Sequence, residues 1–289
     1  MDQSPTLAII GGTGLTHFPG LENIQTIEVE TPFGNPSAPI VLGTLSGHRV
    51  AFLARHGIGH HILPSELNNL ANIYALKSLG TTRILGICAC GSLRDDYAPG
   101  QVVIPDQLFD FTRGRRRTFF GDGIVGHIGS ADPFCPDLSK QTYEAVSECD
   151  ATVHFGGTLI TIEGPRFSTR AESHLFRAWG MSVIGMTTSP EAFLAREAEI
   201  CYTTIAHVTD YDVWHATEEA VNVEMVVKTL HNNIAIIQES IRLLLKKLSE
   251  TRDCTCGSAL EKAIITDPRQ ISPETRQKLS LLVNKYLSK

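Results

Sequence analysis

The chain has 289 residues, 42% of them hydrophobic and 19% charged, with 25 Lys and Arg against 31 Asp and Glu for a net charge of −6. That balance excludes a disordered, coiled-coil or collagen-like chain, and it lacks the basic footprint that nucleic acid or an anionic membrane requires. The seven cysteines (88, 90, 135, 149, 201, 254 and 256) are odd in number and scattered, which points to thiols rather than a disulfide framework. No apolar run reaches the ~18 residues of a membrane span. Met1-Asp2-Gln3-Ser4-Pro5 has neither the basic start nor the apolar stretch of a secretory signal, so the expectation is a soluble cytoplasmic protein.

In chain order, the apolar strand Leu7–Ile10 ends in Gly11-Gly12-Thr13-Gly14, and the segments 39–45 and 49–54 flank Ser46-Gly47 as a hairpin. From Ser65 to Leu79, Leu67, Leu70, Ile73 and Leu76 recur at helical spacing, with Gly80 as the stop. Further strands are expected at 83–88, 101–104, 151–155, 158–162, 182–185 and 200–208, with helical patterns between several of them. Thr169-Arg170-Ala171-Glu172 is a capping box that opens a helix ended by Gly180, and a long amphipathic helix is expected over 218–249. Alternation of strands and helices without an interior linker predicts one α/β domain with a mixed sheet over 1–249. Residues 250–289 change character: a polar turn carries Cys254-Thr255-Cys256, and two small helices follow, the second capped by Ser272-Pro273-Glu274. This tail is expected to pack as a helical extension on the same domain.

Several residue groups could carry chemistry, each with a plainer alternative. Gly11–Gly14 after a strand offers backbone N–H groups to an anion or is a tight turn, and it fits neither the dinucleotide fingerprint nor the nucleotide P-loop. Arg55-His56-Gly57, with His60 and His61, suits a bound phosphate; a metal reading lacks a carboxylate or Cys at ligand spacing. Phe167 could stack on a flat ligand or fill the core, and Thr187-Thr188-Ser189 offers hydroxyls at a helix start or simply caps it. Asp210 and Asp212 would share one face of a strand, which raises one pKa and suits a general acid; a turn-forming pair is the alternative. The basic run 113–117 reads as a solvated loop or an intersubunit ion-pair patch, and Cys254 and Cys256 as a disulfide, a thiophilic-metal pair or, for a cytosolic chain, two thiols.

Together, Gly11–Leu15, Thr31–Gly34, Ala54–Gly57, Ala89–Leu93, Ile162–Ala171, Met186–Thr188 with Pro190-Glu191, and Thr209–Asp212 resemble the trimeric purine nucleoside phosphorylase family over about residues 7–245. The resemblance is to its branch that acts on methylthioadenosine, and the tail with its Cys-x-Cys is similar to an extension found in some bacterial and archaeal members. It implies a single domain with a mixed, partly closed sheet flanked by helices, assembled as a homotrimer or a dimer of trimers. It also implies phosphorolysis of S-methyl-5′-thioadenosine to adenine and 5-methylthioribose 1-phosphate, a pentosyl transfer in purine and methionine salvage. Inorganic phosphate is then co-substrate, with no metal or organic cofactor. Carried over, Thr13, Arg55, His56, Cys88, Ala89 and Thr187 would hold phosphate, Met186 the ribose and Phe167 the purine, with Tyr211 beside them. Asp210 would protonate purine N7 and Asp212 would take the exocyclic amine.

Three positions bear on specificity. The 6-oxopurine enzymes of the family carry Glu, Asn and His where this chain has Ser168, Asp210 and Val223. An apolar Val cannot satisfy a buried hydroxyl, at a cost of ~1–3 kcal/mol, but packs on a methylthio group. Cys88 departs from the Thr expected in animal members. The rival readings are a 6-oxopurine nucleoside or methylthioinosine phosphorylase, and a non-catalytic nucleoside-binding or thiol- and metal-handling protein.

Overall fold

The computed structural model describes residues 4–12, 18–217, 221–249 and 251–287, apart from the side chain of residue 231. Its strands are β1 (Leu7–Gly11), β2 (Glu22–Ile27), β3 (Ile40–Leu45), β4 (His48–Ala54), β5 (Arg83–Ser92), β6 (Val102–Ile104), β7 (Gln107–Phe111), β8 (Val153–Phe155), β9 (Thr158–Ile162), β10 (Val183–Gly185) and β11 (Cys201–Asp210). The helices are α1 (Asn69–Ser78), α2 (Pro136–Ser147), α3 (Arg170–Ala178), α4 (Thr188–Glu197), α5 (Val223–Lys247), α6 (Pro273–Lys278) and α7 (Ser280–Leu287). Among the described residues no helix is long and apolar enough to cross a membrane.

One mixed sheet runs β2-β3-β4-β1-β5-β10-β9-β7. It forks at β5, the ten-residue central strand, whose start pairs with β1 and whose end pairs with β10, while β11 runs parallel along it and leads to β6 and β8. The fork makes the sheet partly closed and brings the ends of β5, β10 and β11 into one region.

Alternation explains why the central strands read as unbroken apolar runs. In β1, Leu7 and Ile9 face one buried cluster and Ala8 and Ile10 the other; in β4, Val50 and Phe52 oppose Ala51 and Leu53. Apolar side chains from α1, α4 and α7 join the first layer, against Ala8 and Ile10; those from α2 and α5 join the second. Each fully buried Leu, Ile or Phe contributes roughly 1.5–3 kcal/mol of transfer free energy. The hairpin between β3 and β4 turns on Ser46 (φ 51°) and Gly47 (φ 82°), the two positive angles of a type I′ turn. The capping box stands as expected, with Thr169 Oγ1 accepting from the Glu172 N–H and the Glu172 carboxylate from the Thr169 N–H.

Differences from expectation lie mostly at edges. The long helix begins at Val223, with Asn222 as its N-cap, and α1 begins at Asn69 behind a separate turn at Pro64–Glu66. Strands β2 and β7 had no apolar alternation to announce them: all of β2 except Ile27 is solvent-exposed. After residue 250 come two short 3-10 turns and then α6 and α7, with Leu260, Ile271, Leu279 and Val283 buried against the layer that holds α1.

A close approach at the fork gives a stability test. A Cβ on Gly86 of β5 would sit 2.4 Å from the Tyr202 hydroxyl and 3.1 Å from Thr204 Oγ1. Gly86→Ala should therefore cost about 1–3 kcal/mol in urea unfolding, the range for overpacking; an unchanged midpoint would show that the fork is looser than described.

Candidate active site

A cavity of about 580 Å³ opens at the ends of β4, β5, β10 and β11, within the range for small-molecule sites. Its lining combines Gly12, Arg55, His56, His60, Cys88, Ala89, Gly91, Phe167, Ser168, Met186, Thr187, Thr209, Asp210 and Asp212 with an apolar wall. The wall is one face of α5: Val223, Val226, Val227, Leu230, Ile234 and Ile237 recur at helical spacing.

At one end lies a buried ion pair. Arg55, directly after β4, sends Nε to Glu191 Oε1 at 2.5 Å and Nη2 to Glu191 Oε2 at 3.0 Å. Its remaining bonds run to the carbonyls of Ile87 (2.8 Å, from Nη1) and Ile10 (3.2 Å, from Nη2). Four of the five N–H groups are thus committed inside the protein, and one Nη1–H is left for a ligand. The guanidinium fork that the sequence offers to an anion is turned onto Glu191. Tyr202 Oη donates to Glu191 Oε2 at 2.9 Å and completes the carboxylate's shell.

His56 is buried beside this pair, its Nδ1 at 2.9 Å from the Ile62 carbonyl and its ring stacked on His60. Burial lowers its pKa to about 4, with the Arg55 charge adding to that and the Ile62 carbonyl opposing it. The neutral ring then donates through Nδ1, leaving Nε2 as an acceptor; a bound anion would favour the protonated, donating form. Thr187 precedes α4 with its hydroxyl making no cap bond. Cys88 turns its thiol to the hydroxyls of Thr204 (3.6 Å) and Thr188 (3.9 Å), and burial raises its pKa, keeping it a neutral thiol.

Three residues beyond Cys88 on β5, about 10 Å at strand rise, Gly91 passes between two buried carboxyl groups. A Cβ there would lie 2.9 Å from Asp210 Oδ1 and 3.2 Å from Asp212 Cβ. Asp210 Oδ1 accepts the Asp212 N–H at 2.7 Å, and Oδ2 accepts the Thr209 hydroxyl at 2.6 Å. These bonds fix the carboxyl plane without a cationic partner. Burial consequently pushes the Asp210 pKa up to about 6, against the partial opposition of Thr209 and the Asp212 N–H. Asp212 is raised as well, again by burial. The hydroxyls of Ser173 and Ser168 interact with the Asp212 carboxylate and oppose that rise.

The structure therefore gathers Arg55, His56, Cys88, Ala89, Phe167, Ser168, Met186, Thr187, Asp210, Asp212 and Val223 around one cavity. Thr13 lies outside the described residues. Tyr211 is not among the lining residues: the chain leaves β11 at Asp210 and turns at Asp212 (φ 51°), and the Tyr211 ring packs on Trp214 and His215. A correction concerns the basic run. Arg115 is buried rather than solvated, and all five of its N–H groups are used: on Glu163 Oε1 (3.0 Å) and on the carbonyls of Met186, Ser189, Ile162 and Glu163. It ties together the two loops that present Phe167, Ser168, Met186 and Thr187. Neither Glu191 nor Arg115 stood out in the sequence, since a helix-start Glu and one Arg among four carry no signal of burial. The α5 stripe was visible as apolar spacing, but not that it faced a cavity.

Removing the charge of Glu191 tests the pair. Glu191→Gln leaves Arg55 buried and uncompensated and should lower unfolding stability by about 3–5 kcal/mol, read by urea denaturation; a loss under about 1 kcal/mol would mean that water reaches the pair.

The model of the phosphorylase superfamily matches residues 6–246. An S-methyl-5′-thioadenosine phosphorylase of Geobacter sulfurreducens is 51% identical over 282 residues, 97% of this chain and 99% of that protein. One of Chloroflexus aurantiacus is 48% identical over 99% of both chains. Among solved structures, a methylthioadenosine phosphorylase from an Antarctic soil metagenomic library superposes with a TM-score of 0.93 at 44% identity, covering 97% of this chain and 99% of that one. A methylthioadenosine phosphorylase of Schistosoma mansoni in complex with tubercidin gives 0.78 at 37% identity, over 84% of this chain and 92% of that one.

Proposed function

The chain belongs to the phosphorylase superfamily, and from that membership we propose that it cleaves S-methyl-5′-thioadenosine with inorganic phosphate, releasing adenine and 5-methylthioribose 1-phosphate. The observation that carries this reading is one cavity with an anion-competent end at Arg55, His56 and Thr187, a buried acid at Asp210 and an apolar wall between.

In the reaction a phosphate oxygen forms a bond to C1′ of the ribose as the bond from C1′ to purine N9 breaks. The sugar gains oxocarbenium character and the base gains the bonding electron pair. Thr187, the backbone at Cys88-Ala89, the one free N–H of Arg55 and the His56 ring hold the phosphate. Because Glu191 already neutralises Arg55, the anion keeps its charge available to the cationic sugar. Asp210, with a pKa raised to about 6 by burial, gives its proton to N7 as electron density builds on the base, a transfer that typically contributes ~10²–10⁴-fold. The Asp212 carboxylate, lining the cavity, accepts from the exocyclic amine of adenine, a donor that a 6-oxopurine does not offer. Met186 packs against the ribose and Phe167 against the purine. Val223, two-thirds exposed at the mouth in one chain, meets the methylthio group together with Val227. The reaction needs no metal or organic cofactor on this reading. A homotrimer fits the exposed apolar patch of Phe109, Leu175 and Trp179, a cytoplasmic location fits the free thiols, and release of adenine fits purine salvage.

Two variants test the assignment. Asp210→Asn should lower kcat/KM for methylthioadenosine at least about tenfold. At saturating phosphate, wild-type kcat/KM should fall as pH rises through about 6, since the protonated acid is then lost, and the variant should lack that limb; an unchanged profile removes Asp210 from proton transfer. Val223→His should shift preference from methylthioadenosine toward adenosine by about tenfold, the worth of one satisfied buried hydroxyl, measured as the ratio of kcat/KM values. No shift would place the 5′ group elsewhere.

A further inference from the structure

Four cysteines from three separate stretches meet at the end of β11 opposite Asp210. The Sγ atoms of Cys135, Cys201, Cys254 and Cys256 all lie within 4.8 Å of one another, with Cys201 and Cys254 at 3.3 Å. All four are free thiols, three of them buried and Cys254 half-buried. A disulfide would bring a pair to about 2.05 Å. Sulfurs about 2.3 Å from one tetrahedral ion stand about 3.8 Å from each other, and the observed spacing brackets that value. The group is also the only one of its kind among the described residues: the His56, His60 and Asp210–Asp212 sets of the cavity gather no comparable ligands.

We propose that these four thiols bind a single structural zinc ion. Each ligand is delivered by a backbone held elsewhere. Cys135 is the N-cap of α2, where the helix dipole favours a thiolate, and its N–H donates to the Tyr202 carbonyl at 2.8 Å. Cys201 opens β11, its N–H on the Thr82 carbonyl at 3.0 Å. Cys254 and Cys256 bracket a single residue at the start of the 3-10 turn Thr255–Ser258, so both ends of this short pair reach one point. The Arg252 guanidinium donates to Cys201 Sγ at 3.8 Å and to the carbonyls of Thr82 and Glu199, placing a positive charge beside a tetrathiolate that would keep two negative charges with a divalent ion.

Four thiolates close the coordination shell, which marks a structural rather than a catalytic ion. Its effect is to pin the C-terminal extension to α2 and β11. Cys201 stands nine positions before Asp210 on β11, about 30 Å, so the ion takes no part in nucleoside cleavage and the inference does not depend on that reading.

The test uses the full chain made in a reducing bacterial cytosol and purified with a phosphine reductant, without chelator or immobilised metal. Elemental analysis should find about one zinc per chain, and X-ray absorption should show four sulfurs at about 2.3 Å. The double variant Cys254→Ser/Cys256→Ser should retain at least about tenfold less zinc and melt at least about 10 °C lower. Its kcat at 25 °C should stay within about twofold of wild type, as for distant sites. If the variant does not fold, metal content and absorption of the wild type decide alone. Zinc below about 0.1 per chain, or iron with acid-labile sulfide in its place, would overturn the proposal. The same holds if the four cysteines are recovered as disulfides.

Discussion

At the centre of the molecule the Arg55 guanidinium meets the Glu191 carboxylate, both buried, and the rest of the site depends on that contact. It joins the end of β4 to the first turn of α4, reaches the carbonyls of Ile10 and Ile87 on β1 and β5, and is completed by Tyr202 on β11. Two charges taken out of water cost several kcal/mol each unless geometry and hydrogen bonds offset it, and here nearly every donor is matched. The result is a rigid floor of fixed polarity at the point where the sheet forks. On the proposed reading, an anion above it would meet a site whose one large positive charge is already balanced, leaving its selection to Thr187, His56 and backbone amides.

The opposite end of the cavity works by the reverse principle. Asp210 has no cation near it, and burial, with the Asp212 charge adding to it, makes its proton harder to lose. Gly91 matters because only a residue without a side chain allows β5 to pass between Asp210 and Asp212. Arg115 holds the two loops in between, with all its donors spent on backbone and Glu163, so it shapes the cavity without lending charge to it. A neutralised cation at one end and an uncompensated acid at the other suit a bond whose breaking leaves positive charge on a sugar and negative charge on a base.

Much of this was legible in the sequence because it rests on local pattern. Unbroken apolar runs became the buried central strands, Ser46-Gly47 became the hairpin turn, and Thr169–Glu172 became a capping box. The cavity residues at strand ends were visible as short motifs of Gly, Thr, Arg and Asp. What escaped was whatever depends on a partner far along the chain. Glu191 looks like any acidic residue in a first helical turn until Arg55, 136 residues earlier, is placed against it. Arg115 was hidden by its basic neighbours, and β2 by its polar, exposed composition at the sheet edge. Cys135 and Cys201 could not be joined to the Cys-x-Cys turn without the fold. The direction of Tyr211 could not be read from alternation, because the chain leaves β11 at Asp210 and turns at Asp212 (φ 51°).

The central claim is that one cavity couples phosphate to the release of adenine from a methylthio-nucleoside. Incubating the protein with methylthioadenosine, adenosine, methylthioinosine and inosine, with and without inorganic phosphate, tests it most directly. The account predicts adenine from methylthioadenosine, fastest of the four and abolished when phosphate is withheld. Faster hypoxanthine release from the inosine substrates, or adenine release that continues without phosphate, would contradict it.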